Sequence, residues 1–337
     1  MIKPTRTWTA GLGLKTLVTL LLSTLLVSCG TGSKYDEFIP NRILSIGDAF
    51  SYTDFSTGSA INPNTSIAPD TGKTDHWLWT YAAGYGLTNL GAAPGVGKNV
   101  VFFNTNTQPS TIGSRNSLGT ITQVQSQVLA LPSPQNKDLV VMSVGIGDIL
   151  AKADALGNTP ATETDLADMR RIGLQYINLA DNVYQLGYKQ VMLLSAMDLS
   201  SSQYVATLSS TYKNNVSALT SALHFGSLRN CYGGCDENTE RTYPPGEGVK
   251  KYDLFTLSQR IVQGTAIASN INNNTVGNTT TSPLCLYPTL LTACTPNSLY
   301  DSNNYPYYYS GDLYLSPLLH RYIGNVLYSF SRGRTGF

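Results

Sequence analysis

Charge is what this chain has least of. Charged side chains make up 13 % of its 337 residues, against roughly a quarter in an ordinary globular protein. The formal net charge is +1. No stretch gathers Lys or Arg into a basic stripe, which argues against a nucleic-acid partner. Histidine is scarcer still, with three in all, so any imidazole chemistry rests on His76, His224 or His320. No apolar run reaches the roughly 20 residues that cross a hydrocarbon core. Heptads and internal repeats are missing too, which removes coiled coils and solenoids. Ser, Thr, Asn and 21 Tyr fill the space left by charge. That composition suits an exported protein with long polar loops.

The N-terminus agrees with export. Lys3, Arg6 and Lys15 precede an apolar run from Leu17 to Val27, broken only by Thr19, Ser23 and Thr24. The run is too short to span a bilayer and reads as the core of a signal peptide. Leu26-Val27-Ser28-Cys29 follows and resembles the lipobox of bacterial lipoproteins. That resemblance implies cleavage after residue 28, lipid on the Cys29 thiol, and a membrane as the first partner. Residues 29–40 are expected to form the lipidated N-terminus and a tether, with Gly30 to Lys34 reading as a short flexible stretch. Gly30 is not an acidic inner-membrane retention residue, so the sorting rule for such lipoproteins implies the outer membrane. Losing three leader cations from 22 leaves 19 basic against 21 acidic side chains in the mature chain.

Four further cysteines, Cys231, Cys235, Cys285 and Cys294, stand as two close pairs in polar loops. An even number in an exported chain favours disulfides, and four permit three connectivities. Cys231–Cys235 and Cys285–Cys294 are the expected pairs. Zinc is the rival reading. No His neighbours either pair, and an oxidising compartment favours disulfides, so no metal and no cofactor is expected.

Short β-rich runs at 42–47, 139–145 and 190–195 alternate with amphipathic segments. Ile121, Val124 and Val128 mark one helix. Leu166, Met169, Ile172, Tyr176, Leu179, Val183 and Leu186 mark a longer one that stops at Gly187. Ser316 and Pro317 open a last helix presenting Leu319, Ile323, Val326, Leu327 and Phe330. Alternating strands and helices predict an α/β fold, a three-layer α/β/α sandwich around a central parallel sheet. One domain is expected over residues 41–332, with 333–337 as a tail. Ligands of such sheets sit at the carboxyl ends of the strands. The polar stretches 51–75, 231–248 and 271–310 are expected to rim that edge, with 270–281 a loop by composition.

The first strand ends in Gly47-Asp48-Ala49-Phe50-Ser51. Downstream come Trp77-Leu78-Trp79, Asn89 to Gly95, Gly145-Ile146-Gly147-Asp148, Met192 to Asp198, and Asp312 to Pro317 followed by His320. In that order these blocks resemble the SGNH (GDSL) hydrolases across about residues 41–332. The resemblance implies a flavodoxin-like sheet order and a site for carboxylic-ester hydrolysis by Ser, His and Asp, with backbone N–H groups and an Asn side chain holding the oxyanion. Position by position, the nucleophile falls on Ala49, the oxyanion Asn on Gly147 and the base on Tyr314. None of the three carries the needed group. Asp48, Asp148, Gly91 or Gly95, and Asp312 remain as pocket or dyad positions.

Loss of a nucleophile or base costs about 10⁶ in a comparable triad, so by the family mechanism the site is inert. A binding module for an acyl-ester, glycan or envelope-protein ligand is the leading expectation. The cluster Tyr305, Tyr307, Tyr308, Tyr309 and Tyr314 offers flat faces suited to such contacts. The alternative is a working esterase with Ser51 as a substitute nucleophile and Asp312 with His320 as its dyad. The ordinary reading of Ser51 is a helix cap, and that of His320 a structural histidine.

Overall fold

All six residues of β1 (Arg42–Gly47) are buried, as are all six of β4 (Asp138–Ser143) and all five of β5 (Gln190–Leu194). Successive side chains point to opposite faces of a strand, so runs like these need cover on both faces. The computed structural model describes residues 38–48, 50, 77–87, 89–91, 99–102, 119–202, 205, 208–228, 243–244, 246–263, 280–283, 307–311, 314–315 and 317–332. Within these, β2 (Asn89–Gly91), β3 (Asn99–Phe102) and β6 (Gly248–Tyr252) complete a six-stranded sheet in the order β2-β3-β1-β4-β5-β6. Every pairing in it is parallel. Without the three-residue edge strand β2, the order is the 2-1-3-4-5 of doubly wound folds.

The cover is helical. The helices are α1 (Trp77–Gly84), α2 (Ile121–Leu129), α3 (Ile146–Leu156), α4 (Glu163–Gln185), α5 (Ser210–Leu228), α6 (Leu254–Val262) and α7 (Pro317–Arg332). Val124 and Val128 of α2 and Met169, Tyr176 and Val183 of α4 are buried in one core with the strands. Trp77, Leu78 and Tyr81 of α1 and Leu319, Ile323 and Leu327 of α7 join the same core. Helix α1 packs on α7, where Tyr85 and Tyr328 meet edge to face at 5.0 Å, and α4 packs on α5. The chain is therefore the expected three-layer α/β/α sandwich. No helix among the described residues is long and apolar enough to cross a membrane.

Local signals place α4 closely. Thr162 caps it by accepting from the Asp165 N–H at 3.3 Å, and the Asp165 carboxylate accepts from the Thr162 N–H at 2.8 Å. This reciprocal box satisfies two orphan donors of the first turn. Gly187 follows its end at φ 107°, a left-handed position that suits a residue without a Cβ. One member of the expected apolar stripe departs from it: Leu186 is 55 % exposed.

Register sets a charge pair at the amino edge of the sheet. Arg42 and Asp138, the first residues of β1 and β4, are direct partners. The guanidinium grips the carboxylate with two bonds, of 2.9 and 2.5 Å, and both side chains are 1 % exposed. The Gln135 N–H adds a third donor to Asp138 at 2.7 Å.

Two expectations about loops are corrected. The end of the 231–248 stretch lies at the amino edge, not the carboxyl edge. There the Gly248 N–H donates to the Lys189 carbonyl, and the Gln190 amide donates to the Gly246 carbonyl. The crossover connection as a whole must return the chain to the start of the next parallel strand, so the end of this segment belongs on that side. The 271–310 stretch, and 270–281 which overlaps it, are not all loop. Thr280–Pro283 (β7) and Tyr307–Gly311 (β8) pair in parallel, and Tyr314–Leu315 (β9) runs antiparallel to β8, in a separate three-stranded sheet. Thr and Tyr favour the extended chain, a preference masked in the sequence by the Asn, Pro and Gly around them.

Candidate functional site at the strand switch point

The chain leaves β1 for β3 on one side of the sheet and later returns to β4 on the other. The crevice of a doubly wound sheet opens where the order reverses, outside the carboxyl ends of those strands. Gly47 and Ser143 close β1 and β4 at that point as register partners. Gly47 sits at φ 130°, and a Cβ there would lie 2.0 Å from the Ser143 carbonyl oxygen. Only glycine lets the two strand ends approach this closely. The Gln127 side chain of α2 finishes the strand: its amide oxygen accepts from the Gly47 N–H at 2.6 Å, and its amide nitrogen donates to the Gly47 carbonyl at 3.0 Å.

Asp48 follows, 1 % exposed. Its own N–H donates to the Ser143 carbonyl at 2.8 Å. Its carboxylate accepts from the Ser143 hydroxyl at 2.8 Å, the Phe50 N–H at 3.1 Å and the Ile146 N–H at 3.2 Å. The Ile146 amide belongs to the first turn of α3, so Asp48 caps that helix from another strand. Burial raises its pKa from 3.8 to about 6; the three donors oppose the rise and the nearby Asp148 charge adds to it.

Asp148, in the first turn of α3, repeats the arrangement. Its two oxygens accept from the Ile121 N–H of α2 at 3.2 and 3.1 Å. The Tyr176 hydroxyl donates to it at 2.5 Å. Burial raises this carboxyl too, against the pull of Tyr176 and Ile121. Burial and the Asp148 charge push the Tyr176 phenol well above its ordinary range. The two aspartates thus join β1, β4, α2, α3 and α4 through donors alone.

Gly147 is closed to any side chain in this arrangement. A Cβ on it would stand 2.7 Å from the Gly119 carbonyl carbon and 2.8 Å from the Thr120 nitrogen. The Asn side chain expected there in an esterase has no room unless the 119–120 backbone moves. Gly91 ends β2 opposite Val101, two strands from Asp48.

His320 is 1 % exposed, in the first turn of α7. Its Nδ1 accepts from the Trp77 N–H at 3.4 Å, and the Trp77 indole donates to the Phe50 carbonyl at 2.7 Å. Accepting through Nδ1 assigns the proton to Nε2. The ring therefore ties the starts of α1 and α7 to the end of β1. His224 is the second described histidine. Its Nδ1 stands 3.5 Å from an Asp253 oxygen and its ring lies on Phe255 at 4.7 Å; partial burial lowers its pKa against the pull of Asp253. No group of three or more His, Cys, Asp or Glu among the described residues could hold a metal.

Of the residues singled out in the sequence, the switch point brings Asp48, Gly147 and Asp148 together. Tyr314 falls in the separate small sheet. Cys29, Ala49, Ser51, His76, Gly95, Cys231, Cys235, Cys285, Cys294 and Asp312 lie outside the described residues. Ser143, Gln127 and Tyr176 were not foreseen. Ser143 had a signal, as the polar close of an otherwise apolar strand. Gln127 carried none, being one of the polar residues between Val124 and Val128. No protein-family profile matches this chain, and no curated protein matches it.

Proposed function

We propose that this chain is a lipid-anchored protein of the outer membrane whose SGNH-like domain binds a ligand or partner and does not turn over esters. The observation that carries this reading is the closed position at Gly147, 2.7 Å from Gly119 when given a Cβ, beside an Asp48 committed to capping α3. Both the Gly147 position and the Ala49 position lack the groups that acyl transfer needs, and oxyanion donors and nucleophile act as one unit. His320 fits a positioning role. A base must offer an unprotonated nitrogen to its nucleophile, and Nδ1 is taken up by the Trp77 N–H.

Fluorophosphonate labelling of the purified full chain, with turnover of short-chain nitrophenyl esters, tests the proposal. Neither labelling nor turnover is expected. Covalent labelling that disappears in Ser51→Ala would overturn the binding reading in favour of a hydrolase with a substitute nucleophile. Acyl-ester, glycan and envelope-protein ligands, offered in turn to the immobilised chain, separate a binder from a purely structural part.

A further inference from the structure

The described chain enters the fold at its amino edge. Phe38 to Asn41 lead into β1, and the Asn41 N–H donates to the Lys137 carbonyl where β4 is about to begin. Phe38 stands nine chain steps beyond Cys29. At no more than about 3.6 Å each, they reach roughly 30 Å. A lipid on Cys29 would therefore let this edge, where the described chain begins, come to the bilayer.

The same edge carries apolar side chains that the fold leaves in solvent. Leu129, the last residue of α2, is 88 % exposed; Leu186, beyond α4, is 55 %; Ile39 is 44 %. They are three of the six large apolar residues exposed among those described. The C-terminal ends of α2 and α4 are neighbours there. A Cβ on Gly187 would lie 3.1 Å from the Pro134 ring, and the Tyr188 hydroxyl donates to the Pro132 carbonyl. Lys137 and Lys189 are exposed on this edge, and Glu247 stands 3.5 Å from Lys189. The buried Asp138 is neutralised by Arg42. Apolar tips beside cations match the interface of a bilayer containing anionic lipid.

We propose that the amino edge of the sheet rests on the bilayer through Ile39, Leu129 and Leu186, holding the switch point outward into the aqueous phase. This inference rests on the lipid-anchor reading, and the test separates the two. The full lipidated chain is placed in phosphatidylethanolamine–phosphatidylglycerol vesicles, some of whose acyl chains carry bromine, a quencher of tryptophan emission. Leu129→Trp reads the amino edge. Phe225→Trp reads α5 beside His224, which contacts Asp253 past the carboxyl end of β6; Phe225 is 52 % exposed, so neither change enters the core. Quenching of the Leu129→Trp signal over the wild-type background, without quenching of Phe225→Trp, is the expected result. Quenching at Phe225→Trp instead, or at neither position in a chain that floats with the vesicles, overturns the orientation and leaves the anchor standing. A Leu129→Trp signal shielded from aqueous iodide but not quenched by bromine marks a protein contact and also overturns it. A wild-type chain that does not float with the vesicles overturns anchor and orientation together.

Discussion

The two edges of one sheet solve the same problem in opposite ways. At the amino edge, the buried carboxylate Asp138 meets a full cation, Arg42, in two bonds across adjacent strands. At the carboxyl edge, Asp48 and Asp148 are buried, and the groups described as holding them are N–H and O–H donors. The first arrangement stabilises the ionised acid. The second leaves burial dominant, so protonation is favoured. A buried charge needs a partner charge or a neutral form, and this domain uses one answer on each side.

Breaking the amino-edge pair gives the largest effect. Arg42→Ala leaves Asp138 buried without its cation and should cost about 3–5 kcal/mol, read by urea denaturation at pH 7. Arg42→Met with Asp138→Leu removes both charges and should recover most of the loss.

The carboxyl edge should show a pH dependence of its own. Asp48 titrates at 3.8 when unfolded and about 6 when folded. Below the lower value the group is protonated in both states, and its contribution is fully present. As pH rises through the upper value the unfolded chain gains by ionising first, so about 3 kcal/mol is lost. Asp148 is raised as well and acts with the same sign. Asp48→Asn should flatten much of the stability profile between those limits. An unchanged slope would show that the two edges do not differ in this way.

The smallest effect sharpens the role of single donors. Tyr176→Phe removes the hydroxyl from Asp148 and should cost about 1 kcal/mol at neutral pH. Because that hydroxyl holds the Asp148 pKa down, the variant should go on losing stability to a higher pH than the wild type. Denaturation midpoints across pH measure both.

The framework was legible because its strands are apolar over their whole length and its helices carry a regular stripe. The runs read at 42–47, 139–145 and 190–195 became β1, β4 and β5 with ends displaced by two residues at most. Asp48 and Asp148 were legible through the resemblance of their blocks, which implied pocket positions for both. Their partners were not. Ser143 and Gln127 come from elements far along the chain, and only register and docking bring them to the strand end. The Gly147 reading was half legible: the sequence showed a missing donor, while the obstruction by Gly119 exists only once α2 and α3 have packed. The placement of the 231–248 stretch failed because polarity marks a loop without saying which edge it serves.

The Gln127 clamp on Gly47 ties a helix to a strand by peptide-like bonds, where apolar contact would have been the usual means. An edge strand can lose a neighbour and be resolvated by water. The end of β1 cannot do so while α2 is seated, because its last donor and acceptor are held by an amide that mimics another strand. Hydrogen exchange at the Gly47 amide therefore clocks the lifting of α2 from the sheet, and it samples any opening of the crevice at its hinge.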